Sequence, residues 1–378
     1  MNRRQRTFHD THVSLPLVQP DASIRFLLTA LLLSFLFVLQ VSAKVTISVA
    51  SGAWSAPATW NNGVPADGDQ ITISAGHTVN LTADIAFLTA GSTLTTNGTL
   101  DMGTFICRVV SNTVSATGQV IQNTTSGAAQ QANLRGTSVT IHPSSTYFYT
   151  GNLTGFTGVH PAYGNLNYAS TSATAGVLDV NLNVGGNLTI NNSGTGETRF
   201  GNTVNHTHTI VGSFTVSAGT VTGTNGAANV VIDVDGSMTI APGATFKACA
   251  STGNLTINLT GNFTQNGTLT SPGSGVFRIV FDGVGNSTIT GAAAVSLQYV
   301  TMQKTGNALA ILTQHVNIAK NLNFINGRIQ IGNFNLTMAA LATITNASVE
   351  QGYVVTNGTG KLIFAQTNAS TTFPVGNP

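Results

Sequence analysis

A short repeated pattern between Leu182 and Thr290 constrains the fold more than any other feature of the chain. Each copy has an apolar or small lead-in, then Gly, then Asn or Ser, then usually a large apolar residue, then Thr. The copies read VGGNLTI, IVGSFTV, VDGSMTI, LTGNFTQ and GVGNSTI. Their glycines, spaced 24 to 26 residues apart, are Gly186, Gly212, Gly236, Gly261 and Gly285. A fixed period of this size is typical of proteins built from stacked repeats.

Alternation within each copy predicts a β-strand, because successive strand residues point to opposite faces. Aligning the copies produces columns of similar residues. One apolar column contains Leu188, Phe214, Met238 and Phe263. A second apolar column contains Ile190, Val216 and Ile240, breaks at Gln265 and resumes at Ile289. The polar columns are Thr189, Thr215, Thr239, Thr264 and Thr288, and Asn187, Ser213, Ser237, Asn262 and Asn286.

These columns predict an all-β fold, a right-handed parallel β-helix (β-solenoid) of about 25 residues per coil. One coil cannot bury its apolar side alone, so successive coils stack roughly 4.8 Å apart and pair their backbones. The period is too short for a two-helix repeat, and the repeats are rich in Thr, Asn, Gly, Ser and Val rather than in helix formers. We assign the β-helix to residues 84–365.

Composition and one apolar segment predict export. Charged residues make up only 7% of the chain, whereas about 25% is ordinary. This fits either a membrane protein or an extracellular β-solenoid solvated by Thr, Asn and Ser. The one long apolar stretch, FLLTALLLSFLFVLQ, follows Arg25 and precedes the sequence VSA. It predicts a cleaved secretory signal over residues 1–43, an uncleaved N-terminal anchor being the alternative. We expect a secreted or cell-surface protein without a membrane span after cleavage.

Charge and cysteine content exclude two further classes. Removal of residues 1–43 leaves ten basic and ten acidic residues. A formally neutral chain without basic runs argues against nucleic-acid binding, which needs several Lys or Arg contacts to phosphate. The two cysteines, Cys107 and Cys249, lie several coils apart, so they are expected to be buried free thiols and not a disulfide.

The segment 44–83 predicts an N-terminal cap. Two alternating stretches, VTISV and QITIS, flank a turn-rich segment with the pattern W-S-x-P-x-T-W-x-x-G-x-P-x-x-G-D, which begins at Trp54. This pattern resembles the opening of the eight-glycine domain and related N-terminal modules of secreted β-helix proteins. The resemblance implies that the segment covers the first coil. An uncovered solenoid end would expose unpaired strand edges and core.

The C-terminal part resembles a second group of proteins. The stretches NGRIQIGNFNLTM, QGYVVTNGTGKLIF and TTFPVGNP are similar to a segment of large surface repeat proteins from the bacterial phylum that uses type IX secretion. The resemblance implies bacterial surface display and makes residues 366–378 a truncated link to a following module. An ungapped similarity of Thr171–Ile190 with Thr305–Phe324 further predicts a duplicated block of about five coils.

Two groups of ionisable residues are candidates for chemistry. Asp233 and Asp235 share a strand face, with Arg199, Lys247 and Arg278 as basic residues on neighbouring coils. Paired carboxylates can bind Ca²⁺ or act as acid and base in glycoside hydrolysis. The alternative is that they solvate the surface, and Asp67 and Asp69 are similarly interpreted as turn residues.

Two histidines, His206 and His208, also share a strand face. They can hold Zn²⁺ or Cu²⁺ only with further ligands, and the sequence offers no convincing third ligand. A solvated pair is the favoured interpretation. No metal or other cofactor is predicted.

The Thr and Asn columns and two tryptophans allow structural or binding roles. The columns stack along a solenoid in the structural interpretation and form a polar array for glycans or ice in the other. Trp54 and Trp60 either stack on sugar rings or pack as buried staples in the cap.

Motifs for nucleophilic, metallopeptidase or nucleotide chemistry are absent from the sequence. We therefore expect a secreted or surface structural and adhesive module rather than an enzyme. The alternatives are a polysaccharide-binding or polysaccharide-degrading β-helix protein and, lower, an ice-binding surface. Expected partners are extracellular polysaccharide or a cell-surface protein.

Overall fold

A computed structural model describes residues 43–125, 130–306, 308–365 and 374–376, all within one compact unit, Ala43–Pro378. The predicted secretory signal, except Ala43, and most of the predicted C-terminal link lie outside the described residues. The unit is an all-β solenoid of about 14 turns of parallel strands, as predicted. Successive coils are about 23 residues apart, slightly fewer than the 25 expected, because several coils outside the repeats have shorter turns.

One long sheet runs the length of the described solenoid. Its fifteen strands are Gly52–Ala53, Thr78–Asn80, Thr99–Gly103, Gln119–Thr124, Thr146–Gly151, Asn165–Ser170, Leu188–Asn192, Phe214–Ala218, Met238–Ile240, Phe263–Gln265, Ser287–Gly291, Leu309–Leu312, Arg328–Gln330, Val354–Val355 and Val375–Gly376.

Four shorter sheets form the other walls. The five-stranded sheet contains Val45–Ile47, Gln70–Ile73, Thr93–Thr96, Ser111–Val114 and Ser138–Ile141. The three-stranded sheet contains Ile85–Phe87, Cys107–Val109 and Leu134–Arg135. The six-stranded sheet contains Gly155–Phe156, Gly176–Leu178, Glu197–Gly201, Thr220–Thr224, Thr245–Cys249 and Thr268–Thr270. The ten-stranded sheet contains Asn183–Val184, His206–Ile210, Val230–Val234, Leu255–Leu259, Phe277–Phe281, Val295–Gln303, Val316–Asn326, Leu336–Met338, Thr343–Thr345 and Leu362–Phe364.

The pairing of strands in the long sheet confirms the apolar columns for the first four copies of the repeat. It places the fifth copy differently from the prediction. Leu188 pairs with Phe214, and the column continues to Met238 and Phe263. All four side chains are buried, and each stabilises the fold by about 1.5–3 kcal/mol. In the next coil, however, Phe263 pairs with Ile289.

The last copy of the repeat is therefore displaced by two residues. Thr264 pairs with Thr290, whereas Thr288 pairs with Ile311 of the following coil. The assignment of Thr288 to the threonine column is wrong. The resumption of the second apolar column at Ile289 is wrong too, because Ile289 pairs with Phe263 of the first column and Gln265 pairs with Gly291. The reason is local: Gly261 stands two residues before the paired Phe263, but Gly285 stands four residues before Ile289.

The Asn and Ser column has a structural role. At the corners of the long sheet that carry this column, a side-chain oxygen accepts a hydrogen bond from a backbone N–H one coil further on. Asn187 Oδ1 accepts from Ser213 N at 2.8 Å, and Asn262 Oδ1 accepts from Thr288 N at 2.8 Å. The neighbouring glycines also stack, because Gly212 N donates to Gly186 O at 2.8 Å. A Cβ on Gly212 would lie 2.5 Å from Gly186 O, which explains the repeated glycine.

The N-terminal segment covers the free edge of the first strand. Its backbone turns back in the antiparallel direction, so Val49 N donates to Thr59 O at 2.8 Å and Asn61 N donates to Ile47 O at 3.0 Å. A 3₁₀ turn, Pro57–Thr59, makes this reversal. The first described strand thus finds hydrogen-bond partners on the side opposite the second coil, which protects a sheet edge.

Two features of the fold test further predictions. Cys107 and Cys249 are free and buried, as expected, and burial raises the pKa of the Cys107 thiol to about 12. The 134-residue similarity is not a duplication of equivalent positions. Leu188 lies in the long sheet, but its counterpart Leu322 lies in the ten-stranded sheet. The similarity therefore reflects a strand pattern that recurs on different walls.

Two walls change at a place we call the seam, near the fifth and sixth strands of the long sheet, Thr146–Gly151 and Asn165–Ser170. The five-stranded sheet ends at Ile141 and the three-stranded sheet at Arg135, whereas the six-stranded sheet begins at Gly155 and the ten-stranded sheet at Asn183. The long sheet runs across the seam. Buried aromatic rings fill the interior there, and they are Tyr147, Tyr149, Tyr163, Tyr168 and Phe156.

Candidate functional site

The outer surface of the ten-stranded sheet collects polar side chains from successive coils, and we call it the groove face. On the strand Val230–Val234, the alternation turns Ile232 inward and Asp233 outward. The register then places Asn258, Val280, Thr301 and Asn323 in the same outward column as Asp233. The predicted strand face around Asp233 is therefore real and extends over five coils.

A shallow groove of about 330 Å³ lies on this face. Its walls carry hydroxyl and amide groups, a guanidinium and two apolar side chains, from Thr256, Arg278, Val280, Thr301, Gln303, Asn321, Asn323 and Ile325. The Arg278 guanidinium lies over the Tyr299 ring, with Cζ 5.9 Å from the ring centre. The groove thus combines neutral donors and acceptors with a cation held over an aromatic ring.

Three carboxylates lie on or just after strands of the same sheet, although none of them lines the groove: Asp233, Asp235 and Asp282. Partial burial raises the pKa of Asp233, and the charges of Asp235 and Asp282 raise it further. Asp282 Oδ1 accepts a hydrogen bond from Thr260 Oγ1 at 2.9 Å. The register puts Asp235 and Asp282 in one column two coils apart, a backbone separation of roughly 10 Å. Asp282 was not singled out from the sequence, although its position 47 residues after Asp235 corresponds to two coils.

The basic residues predicted to accompany Asp233 divide between two walls. Arg278 lies on the groove face, but Arg199 and Lys247 lie on the six-stranded sheet. There they pair with Glu197, at 2.5 Å from Arg199 Nε and 3.3 Å from Lys247 Nζ. Burial alone would raise the pKa of Glu197, but hydrogen bonds from Arg199 and Thr222 outweigh burial and lower it. The grouping of Arg199 and Lys247 with Asp233 is wrong.

Lys304 is a buried cation that sequence reasoning missed. Its ammonium donates to Thr260 O at 2.9 Å and to Ser287 Oγ at 2.6 Å, and the side chain is fully buried. Burial lowers the pKa of Lys304, and the nearby Asp282 carboxylate partly opposes that shift. In the sequence, Lys304 follows a strand and precedes Thr-Gly, which is typical of an exposed turn, so no signal identified it.

The two histidines are not solvated, so that interpretation is wrong. Both rings face the interior, with 7% of His206 and none of His208 exposed. His206 Nε2 lies 3.0 Å from Asp179 Oδ1, and its Nδ1 lies 3.2 Å from Asn181 Oδ1. His208 uses its ring nitrogens on the Phe200 carbonyl and the Leu182 N–H. All four nitrogens thus have hydrogen-bond partners before any metal is considered.

Trp54 and Trp60 are packed inside the cap. Each is 3% exposed, their rings meet edge to face at 5.2 Å, and Trp60 Nε1 donates to Trp54 O at 2.8 Å. Neither ring presents a face on which a sugar could stack. In the same segment, Asp67 accepts hydrogen bonds from Thr89 and Ser92, and Asp69 accepts from Ala66 N and Lys44 N. These carboxylates hold turns, as interpreted from the sequence.

The threonine column forms part of the outer surface of the long sheet. Thr189, Thr215, Thr239 and Thr264 pair in sequence, Thr290 completes the column, and all five side chains are partly exposed. The preceding coil has Asn167 at this position and the coil before it has Phe148. The unbroken hydroxyl array therefore extends over five coils. Ice binding by this array stays a prediction.

The described residues contain no group of three or more His, Cys, Asp or Glu residues arranged to hold a metal ion. Within the same residues, no helix has the length and apolar character needed to cross a membrane.

Comparison with known proteins gives no family assignment. No protein-family model matches the chain, and neither the curated proteins nor the solved structures contain a significant match.

Proposed function

We propose that the protein is a secreted or cell-surface β-solenoid that acts as an adhesive module by holding a polysaccharide on its groove face. The observation that carries this proposal is the open groove in which the Arg278 guanidinium lies over the Tyr299 ring beside neutral amide and hydroxyl groups. Export is supported by the low charge content and the signal-like segment before residue 44.

The chemistry of the groove suits a carbohydrate. Sugar hydroxyls both donate and accept hydrogen bonds, and so do the side chains of Asn321, Asn323 and the exposed Gln303. The half-exposed Ile325 side chain offers apolar surface to the C–H face of a sugar ring. A flat, open groove that spans several coils fits a polymer, because neighbouring coils present similar groups at intervals of roughly 4.8 Å.

One observation favours a second function, hydrolysis of the bound polysaccharide. The pKa of Asp233 is raised by partial burial and by the charges of Asp235 and Asp282. A carboxyl group with a raised pKa beside an ionised carboxylate is the arrangement that glycosidases use for acid and base catalysis. In this alternative Asp233 is the general acid, and Asp235 or Asp282 is the base that activates water.

The test measures retention and cleavage in the same tubes. The full chain is incubated with a panel of insoluble and soluble polysaccharides, and bound protein and released reducing ends or unsaturated sugars are both measured. We expect retention without release. Removing either the guanidinium or the ring, in Arg278→Gln or Tyr299→Ala, should weaken retention about tenfold, which corresponds to about 1.4 kcal/mol. Arg199→Gln, on another wall, is the matched control.

Three outcomes contradict the adhesive proposal. Release of sugar that disappears in Asp233→Asn supports the hydrolase instead. Retention that is equally weakened by Arg199→Gln and Arg278→Gln places the ligand elsewhere. A folded protein that neither retains nor cleaves any member of the panel removes polysaccharide as the partner.

A further inference from the structure

A cleft of about 470 Å³ opens at the seam, far along the chain from the groove face. Its floor belongs to one coil, at Leu134, Arg135 and Val139, and its upper wall belongs to the next coil, between Gly158 and Pro161. The cleft follows from the change of walls. Leu134–Arg135 is the last strand of the three-stranded sheet, while the next coil places Phe156 against Gln130 instead.

The lining is largely apolar and contains one cation. Ala132, Leu134, Val139, Val159 and Pro161 contribute apolar surface. Clefts of this size with a few placed polar groups are typical small-molecule sites.

Arg135 supplies the cation, and its orientation is fixed. Its Nε donates to Ala132 O at 2.8 Å, which holds the plane of the guanidinium. Among the described residues, no carboxylate forms an ion pair with Arg135 and no acceptor binds its two Nη groups. A guanidinium in this state is suited to two parallel hydrogen bonds with one carboxylate.

His160 lies in the opposite wall, where its ring nitrogens are already hydrogen-bonded and are not available to a bound carboxylate. Its Nδ1 lies 2.5 Å from the Tyr163 hydroxyl, and its Nε2 lies 3.1 Å from both Gln130 O and Thr157 O. Both ring nitrogens are therefore used, Nε2 as a donor to carbonyls and Nδ1 as an acceptor from the hydroxyl. Tyr149 joins the same network through the Tyr163 hydroxyl at 2.9 Å. The cleft is preformed, and none of its described lining residues is free for proton transfer.

We propose that the seam cleft binds a small organic carboxylate with an apolar body, whose carboxylate pairs with Arg135 and whose body packs against Leu134, Val139 and Val159. This site is separate from the groove face, so the proposal does not depend on whether the groove face binds polysaccharide. None of the described lining residues supplies a nucleophile or a free acid or base, so the role we propose is binding.

The test uses a matched pair of probes on the full chain. Binding of 4-phenylbutyrate and of the neutral 4-phenylbutyramide is measured by isothermal calorimetry and by saturation-transfer NMR. We expect the carboxylate to bind about tenfold more tightly than the amide. In Arg135→Gln that preference should disappear, while in Arg278→Gln, the control from the groove face, it should persist.

A second variant keeps the test independent of the fold of Arg135→Gln. Val159 is 87% exposed at the cleft wall, so Val159→Trp fills the cleft without entering the core, and it should abolish binding of both probes. The proposal is overturned if neither probe shows saturable binding up to about 10 mM, if the two probes bind equally, or if Val159→Trp binds both as the parent does.

Discussion

Replacing His208 by leucine separates the cost of burying an ionisable ring from the benefit of its hydrogen bonds. The ring is fully buried in a column of apolar residues, paired with Ile232 on the next coil. Its Nε2–H donates to Phe200 O at 3.1 Å, and its Nδ1 accepts from Leu182 N at 3.3 Å. Both bonds are satisfied by the neutral ring, and a protonated ring would lose the second.

The magnitude follows from the pKa. Burial lowers the pKa of His208 to about 3, from an ordinary value of 6.5. Below pH 6.5 His208 takes up a proton in the unfolded chain but stays neutral in the folded chain, so stability is lost as the pH falls from 6.5 toward 3. The loss is about 1.4 kcal/mol per pH unit, or about 5 kcal/mol over the whole window.

The assay is guanidinium unfolding of the parent and of His208→Leu from pH 7 down to pH 4.5. At pH 7 the variant should be less stable by about 1–3 kcal/mol, because Leu182 N–H and Phe200 C=O lose their partner. Below pH 6.5 the variant should lose less stability per pH unit, by about 1.4 kcal/mol. By pH 4.5 it should equal or exceed the parent. Val216→Ala, which removes no ionisable group from the same core, should lower stability and leave the slope unchanged. Parallel pH profiles for the parent and His208→Leu would refute the reasoning.

Three further predictions concern the corner glycines, the buried lysine and a thiol. Gly212→Ala should destabilise the fold by about 1–3 kcal/mol because the new Cβ would meet backbone atoms. Gly285→Ala should be nearly neutral, since no atom lies within 4 Å of its Cβ. Equal denaturation midpoints for the two variants would contradict this. Lys304→Met should be neutral or stabilising at pH 7. The folded pKa of Lys304 is lowered, so the parent, unlike the variant, should gain stability as the pH rises from that pKa to 10.5. A lower free energy of unfolding for Lys304→Met than for the parent at pH 7 would contradict this. Cys107 should react with a thiol reagent only on unfolding, and rapid labelling of native protein would show that the core is open.

The fold could be predicted from the sequence because the strand period and the coil period are both visible in it. Leu188, Phe214, Met238 and Phe263 stack as expected since each lies the same distance after its corner glycine. The displacement at Ile289 could not be predicted. The motif around Gly285 looks intact, and only the hydrogen bonds of the next coil reveal the two additional residues.

The sites were harder to predict because sequence order gives the coil of a residue more readily than its wall. Arg199 and Asp233 lie on neighbouring coils but on different sheets. His208 was interpreted as solvated from its polarity, yet the alternation of its strand turns it into an apolar column. The seam cleft has no motif at all. It results from the end of one sheet and the beginning of another, and no local pattern records such a change.

The seam also divides the mechanics of the molecule. Elsewhere, a coil is joined to the next by hydrogen bonds on several walls, but among the described residues the long sheet is the only one of the five sheets that runs across the seam. The other connections there are short: the bridge between Gln130 and Phe156 and the two-residue pairing of Gly155–Phe156 with the next coil. Load transmitted along the solenoid therefore falls mainly on the strands Thr146–Gly151 and Asn165–Ser170, backed by the packed tyrosines inside. Pulled from its ends, the rod should yield first at this coil and leave two blocks that each retain their own walls.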